Sequence, residues 1–218
     1  VDLGVKMVVV ACNTASAFAL EHLRETIDVP VLGVINPGVR TALAGTRGGA
    51  VGVIGTSGTI RSGRYQEGLA AGGLGPDRIL VQECPLFVPL VEEGMMGHDM
   101  TAMAIEEYLR PLRDAGVDTL ILGCTHYPAL KEDIGRFMGP AVTLVDSADA
   151  LAEAAQDRLG ELSLLRRDAA EREGNLEFYL SDIPWKFQEI GARFLGKPIH
   201  EVITVGLDEM EAAGDHND

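Results

Sequence analysis

Short apolar runs rich in Val, Ile and Leu alternate with helix-like segments along almost all of this chain of 218 residues. Such alternation predicts an α/β fold in which parallel strands are flanked by helices. The length fits one large domain or two lobes of about a hundred residues each. Strands are predicted near residues 5–12, 30–35, 50–55, 78–83, 117–123, 141–145, 176–180 and 200–205. Helices are predicted over residues 16–26, 60–71, 100–115, 128–137, 148–162 and 184–195.

One pattern occurs twice, as VVVACNTAS at residues 8–16 and as LILGCTHYP at residues 120–128. Each stretch has three apolar strand residues, a small residue, a cysteine, polar residues and then a helix. Open α/β sheets bind ligands at the carboxyl ends of their strands. We therefore expect Cys12 and Cys124 to face each other across one cleft, and we expect the following helices to lower the pKa of these thiols.

Two thiols without metal or disulfide spacing suit the inversion of a stereocentre. One thiolate can remove a proton from one face of a carbon while the other thiol returns a proton to the opposite face, which is racemisation or epimerisation. Neither motif contains Lys or Arg. We therefore expect the neutral donors Asn13, Thr14 and Thr125 to hold an anionic substrate, and His126 to keep Cys124 ionised or to carry its proton.

Other candidate side chains have structural explanations. A lone buried cysteine usually packs as a small apolar residue, and we assign that role to Cys84, which precedes Pro85 and lacks polar followers. Glu92 lies in a helical segment, where a solvated carboxylate is the default interpretation. Cys12 and Cys124 differ from these residues because their contexts match each other.

Composition narrows the classes of function. The net charge of -15 argues against a nucleic-acid partner, because such binding neutralises phosphates with Lys and Arg. The sequence has no phosphate-binding glycine motif and no Cys/His cluster at metal spacing, so we expect no cofactor and no metal. The longest apolar runs are too short for a membrane span, so we expect no membrane partner. Three widely spaced cysteines favour free thiols in a reducing cytoplasm.

At these motifs the chain resembles the glutamate racemases, cofactor-independent isomerases of the aspartate/glutamate racemase superfamily. Further similarity lies in GVINPG, VGVIGTSGTIRSGRY, CPLFVPLVEEG and LEFYLSD. The resemblance implies that Cys12 acts on the D-enantiomer and Cys124 on the L-enantiomer. It also implies that Asn13, Thr14, Thr125 and His126 hold or polarise glutamate, and that Glu92 assists His126. Aspartate racemases tend to have Glu at the position of His126.

The resemblance further implies two pseudo-symmetric lobes with mainly parallel sheets and the active site between them. Residues 1–36 with 146–218 would form the first lobe, and residues 37–145 the second. The family makes D-glutamate for peptidoglycan, and hence for cell-wall biogenesis and cell shape, in the cytoplasm. Homodimers occur in the family, in more than one arrangement.

Two family motifs, an Asp-Ser glycine-rich motif and Pro-Tyr-Gly, do not occur in their expected places. We therefore expect that an amino-terminal segment precedes Val1 in a larger protein, and that these 218 residues alone have little or no activity. Two alternatives stay open: a racemase for aspartate or another amino acid, and a catalytically inactive module that binds an amino acid or a protein such as DNA gyrase. A thiol-disulfide oxidoreductase is disfavoured, because its cysteines normally lie close in sequence.

Overall fold

Strands and helices alternate in the computed structural model of the protein, which describes residues 3–166, 174–181 and 184–206, without the side chain of Pro184. By its internal contacts the chain divides into two compact units, Val1–Leu165 and Arg166–Asp218. The predicted division into lobes of residues 1–36 with 146–218 and of residues 37–145 stays a prediction.

The first unit contains two parallel sheets. In the smaller sheet β1 (Val8–Val10) pairs with β2 (Val31–Gly33). In the larger sheet the strand order is β4-β3-β5-β6. Its members are β3 (Ala50–Gly55), β4 (Ile79–Glu83), β5 (Val117–Gly123) and β6 (Thr143–Asp146). The predicted α/β fold with parallel sheets flanked by helices is therefore confirmed.

Helices connect these strands. They are α1 (Asn13–Phe18), α2 (Leu20–Thr26), α3 (Ile35–Gly45), α4 (Ser57–Arg61), α5 (Arg64–Ala71), α6 (Phe87–Glu92), α7 (Asp99–Asp114), α8 (Lys131–Met138) and α9 (Ser147–Glu161). Two short 3₁₀ helices cover Pro76–Arg78 and Tyr127–Leu130. None of the helices within the described residues is long and apolar enough to cross a membrane.

The two central strands of the larger sheet are buried on both faces. Leu120 and Leu122 of β5 pack into one cluster with residues of α6, α7 and α8, whereas Ile121 between them packs into a second cluster with residues of α3 and α5. Successive side chains of a strand point to opposite faces, so a parallel strand that is covered on both faces has a nearly continuous apolar run. The continuous apolar run therefore places helices on both sides of β5.

Several helix boundaries differ from the predicted ones. The helix predicted over 16–26 begins at Asn13 and is interrupted at Ala19. The helix predicted over 60–71 is two helices, because Gly63 between them has a φ of 72°, which glycine adopts readily. The helix predicted over 128–137 begins with a 3₁₀ turn. The first and third differences lie next to a strand end, where local contacts decide the start of a helix.

The second unit contains a small βαβ element. Strands β7 (Tyr179–Leu180) and β8 (Ile203–Thr204) pair in parallel, and α10 (Pro184–Leu195) lies between them in the sequence. Both strands are shorter than the predicted segments 176–180 and 200–205. The helix matches its predicted bounds.

Asp118 of β5 holds the turn that leads into β3. Its carboxylate accepts hydrogen bonds from Thr46 Oγ1 at 2.8 Å and from the N–H groups of Arg47 at 2.9 Å and Gly49 at 2.8 Å. Burial alone would raise the pKa of Asp118, but the hydrogen bonds from Gly49, Thr46 and their neighbours outweigh it and lower the pKa. The ionised form of Asp118, which predominates above this pKa, therefore stabilises the fold.

Asp118→Asn should lower the free energy of unfolding at pH 7 by about 1–3 kcal/mol, because the donors of Thr46, Arg47 and Gly49 lose a charged acceptor. The lowered pKa means that this difference is full above the carboxyl's unfolded pKa and shrinks as the pH falls through the folded pKa. Urea denaturation at several pH values measures it. Asp114→Asn is the control, because Asp114 is an exposed carboxylate paired with Arg113 at 3.5 Å. Equal losses in both variants would contradict the role of Asp118.

Candidate active site

Cys12 caps the helix that follows β1. Its backbone is extended, and its Sγ accepts a hydrogen bond from the N–H of Ala15 at 3.4 Å. Ser16 fixes this turn, since its hydroxyl donates to the carbonyl of Val10 at 2.8 Å and accepts from the N–H of Val34 at 3.2 Å. The ends of β1 and β2 are thereby tied together, and the thiol of Cys12 is left exposed.

Cys124 directly follows β5 and is buried. Its Sγ lies 3.9 Å from Nδ1 of His126. The other ring nitrogen of His126, Nε2, lies 3.4 Å from Oε1 of Glu92, the last residue of α6. His126 therefore links the Cys124 thiol to a carboxylate, as in other sites where a histidine serves a nucleophile or base. Thr125 Oγ1 lies 3.4 Å from His126 Nδ1.

The pKa of Cys124 is raised to about 11. Burial is the main cause, and the charge of Cys12 adds to it, while the N–H of His126 and the hydroxyl of Thr125 act in the opposite direction. The prediction of a lowered pKa is therefore wrong for this thiol, because desolvation outweighs the hydrogen bonds of the following turn.

Three threonine hydroxyls join α1 to the start of α4. Thr14 Oγ1 lies 3.0 Å from both Thr56 Oγ1 and Thr59 Oγ1, which are 3.1 Å from each other. Gly58 permits this approach, because a Cβ atom there would come within 3.2 Å of the methyl carbon of Thr14. The ring of three hydroxyls fixes the position of Thr14 beside Cys12.

Asn13 is buried next to the cap, with 2% of its surface exposed. Its Oδ1 accepts a hydrogen bond from the hydroxyl of Tyr65 at 2.6 Å. Its Nδ2 is buried without a hydrogen-bond partner in the part of the chain that the structure describes. The amide therefore retains a donor that a ligand can use.

The predicted site residues fall into two groups. Cys12, Asn13 and Thr14 lie together after β1, and the second group follows β5 with a contribution from α6. That second group contains Cys124, Thr125, His126 and Glu92. Within residues 3–166, 174–181 and 184–206, no three His, Cys, Asp or Glu side chains gather as a metal site would require.

Sequence reasoning missed Tyr65, Thr56 and Thr59. One signal could have found the threonines: the stretch GVIGTSGT at residues 52–59 repeats the pattern of strand, glycine, polar residue and helix, with threonine in place of cysteine. This third copy of the pattern follows β3, which lies beside β5 in the sheet. Tyr65 lies a full helix further on, where no local pattern marks it.

Comparisons with known proteins identify relatives over nearly the whole chain. Residues 2–155 match the Asp/Glu/hydantoin racemase family. A glutamate racemase of Geobacter metallireducens is 48% identical over 95% of this chain and 76% of its own length. The structure of the glutamate racemase isoform RacE1 from Bacillus anthracis is similar with a TM-score of 0.86 and 35% identity, over 93% of this chain and 74% of that one.

A third relative was solved with a ligand. The structure of a glutamate racemase from Francisella tularensis in complex with D-glutamate is similar with a TM-score of 0.84 and 33% identity. The similarity covers 95% of this chain and 76% of that chain.

The three thiols should react with iodoacetamide in the order of their exposure and ionisation. At pH 8 we expect Cys12 to react first, because it is exposed, and Cys84 to react last, because it is fully buried with a raised pKa. The rate at Cys124 should rise about tenfold per pH unit from 8 to 10, because only the thiolate reacts and the pKa is about 11. Mass spectrometry of the three peptides measures the rates. A rate at Cys124 that levels off by pH 9 would contradict the raised pKa.

Proposed function

This chain belongs to the Asp/Glu/hydantoin racemase family, and we propose that it interconverts L- and D-glutamate by proton transfer between two thiols. The relatives named above support the choice of glutamate. The observation that supports the two-thiol reaction is the pair of cysteines at matching strand ends. Tyr65 relates the two ends, because it donates to Asn13 beside Cys12 at 2.6 Å and a Cβ atom on Gly123, beside Cys124, would lie 3.3 Å from its ring. No cofactor takes part in this proposal.

In the direction from D- to L-glutamate, the Cys12 thiolate removes the α-proton and the Cys124 thiol donates its proton to the opposite face of the α-carbon. A pKa of about 11 keeps Cys124 protonated at neutral pH. The second thiol is therefore ready to act as an acid before the substrate arrives.

In the reverse direction Cys124 must first lose its proton. His126 is placed to take it, because Nδ1 lies 3.9 Å from the sulfur. Glu92, 3.4 Å from Nε2, stabilises the imidazolium that forms. The thiolate of Cys124 then removes the α-proton of L-glutamate, and the Cys12 thiol returns a proton to the other face.

The negative charge that develops at the α-carbon spreads into the α-carboxylate, which must be held by donors placed in advance. Asn13 supplies the unpartnered Nδ2 group, and Thr14 a hydroxyl fixed by Thr56 and Thr59. On the other side of the cleft the exposed hydroxyl of Thr125 is available. We propose that these three neutral side chains bind the substrate.

The product, D-glutamate, would supply peptidoglycan synthesis. Three free cysteines suit a reducing cytoplasm as the place of this reaction. We further propose that residues 1–36 with 146–218 and residues 37–145 act as the two lobes of the site.

Replacement of either catalytic thiol in the full-length protein should strongly reduce inversion. We expect Cys12→Ala and Cys124→Ala each to reduce kcat/KM at least a hundredfold, the lower end of the range for general acid–base groups. Proton NMR in deuterated water follows loss of the α-proton and circular dichroism follows inversion, for D- and L-glutamate with aspartate as the comparison substrate.

Cys84→Ala is the matched control, because Cys84 is a buried thiol that packs in the core beneath the site. It should lose stability and retain racemisation. Full activity in Cys12→Ala would refute the two-thiol reaction, and faster turnover of aspartate would refute glutamate as the substrate.

Glu92→Gln should lower kcat/KM by roughly tenfold, because it removes the charge that stabilises protonated His126 and leaves the shape unchanged. The loss must be equal in both directions, since two enantiomers are equally stable and no variant changes their equilibrium. Glu93→Gln, at the exposed neighbouring carboxylate, is the control and should retain activity. Equal activity in both variants would show that Glu92 does not assist His126.

A further inference from the structure

The side chain of Tyr65 lies next to both cysteine motifs in space, near Asn13 of the first and Gly123 of the second. Its side chain is completely buried. A Cβ atom on Gly38 would lie 3.4 Å from its hydroxyl oxygen, and one on Gly123 would lie 3.3 Å from its ring carbon Cε2. Gly123, immediately before Cys124, therefore makes room for the ring, and Gly38 lies next to its hydroxyl.

The hydroxyl of Tyr65 acts as a hydrogen-bond donor. It lies 2.6 Å from Oδ1 of Asn13. Burial raises the pKa of Tyr65, and the charge of Cys124 raises it further, so the phenol keeps its proton. The carbonyl side of the Asn13 amide is therefore occupied.

The other side of the same amide is unused. Nδ2 of Asn13 has no hydrogen-bond partner among the described residues, although it is buried. Rotation of the amide by half a turn would turn Oδ1 away from Tyr65, and the buried phenol O–H would lose the acceptor that it has in this orientation. The hydrogen bond from Tyr65 thus selects the orientation in which Asn13 offers N–H groups to its remaining neighbour.

We propose that Tyr65 is a positioning residue that holds Asn13 with Nδ2 toward the substrate carboxylate. This inference rests on the proposed function, because it assigns the carboxylate of an amino acid as the acceptor. An amide held this way favours a carboxylate, whereas a freely rotating amide would also offer its oxygen. Tyr65 acts on the reaction through Asn13 and touches no reacting atom.

A double-mutant cycle tests the proposal. Tyr65→Phe removes only the hydroxyl, and we expect kcat/KM for both enantiomers to fall about tenfold, the usual size for one hydrogen bond in a site. In the Asn13→Ala background the same change should alter kcat/KM less than twofold, because Tyr65 has no amide left to orient. An equal loss in both backgrounds would overturn the proposal.

Tyr127→Phe is the matched control. Tyr127 is also fully buried, and its hydroxyl donates to the backbone carbonyl of Cys84 at 3.0 Å. Its removal should lower thermal stability about as much as Tyr65→Phe does. Its effect on kcat/KM should be the same with and without Asn13, as expected of a structural hydrogen bond.

A second readout does not depend on turnover. The side-chain amide resonances of Asn13, observed in ¹⁵N-labelled protein, should shift when D-glutamate is added to the unsubstituted protein and should shift much less in Tyr65→Phe. Equal shifts in both proteins would overturn the positioning role. Absence of α-proton exchange in the unsubstituted full-length protein would instead count against the proposed function, and the amide shifts would still decide the role of Tyr65.

Discussion

The close parallel approach of β3 and β5 at their carboxyl ends is the constraint on which the site depends. Gly55 is paired with Gly123 at this point, and a Cβ atom on Gly123 would come within 2.6 Å of the carbonyl oxygen of Ile54. A side chain there would force the strands apart. Because the strands stay close, the residues that follow them, Thr56 and Cys124, start from adjacent positions. The two glycines therefore determine how close together the residues after β3 and β5 can lie.

Desolvation and hydrogen bonding oppose each other at Cys124. Burial raises the pKa to about 11 although the following turn offers donors to the sulfur. At neutral pH a thiol with this pKa is almost entirely protonated and cannot act as a base. The thiolate that forms when the proton leaves is a strong base. In the proposed reaction the contact with His126, which in turn contacts Glu92, resolves this difficulty, because it gives the proton a nearby acceptor. Burial thus makes the Cys124 thiolate rarer at neutral pH and a stronger base when it forms.

The sequence predicts the positions of both motifs because each lies within one local pattern of strand, small residue and polar residues. The bounds of β3 and β5 follow from their apolar runs for the same reason. Tyr65 is different, since its role comes from contacts with Asn13 and Gly38, both far from it in sequence. Helix α3 is not predicted from the sequence, because Pro37 and Gly38 near its start are typical of a loop. Tertiary packing, and not local sequence preference, therefore determines the position of Tyr65 and the formation of α3.

In the proposed reaction, neutral substrate-binding donors affect the strength of the two thiolate bases. A Lys or Arg beside the substrate would bind the carboxylate strongly, but its charge would also stabilise both thiolates and weaken them as bases. Asn13 and Thr14 can bind a carboxylate without adding a formal charge. In the proposed site their weaker attraction is offset by placement, since the ring of threonine hydroxyls holds Thr14 and the phenol of Tyr65 holds Asn13 in position. Uncharged donors therefore depend on the hydrogen bonds that hold them. In this fold those bonds come from Thr56, Thr59 and Tyr65, to which we assign no reacting role.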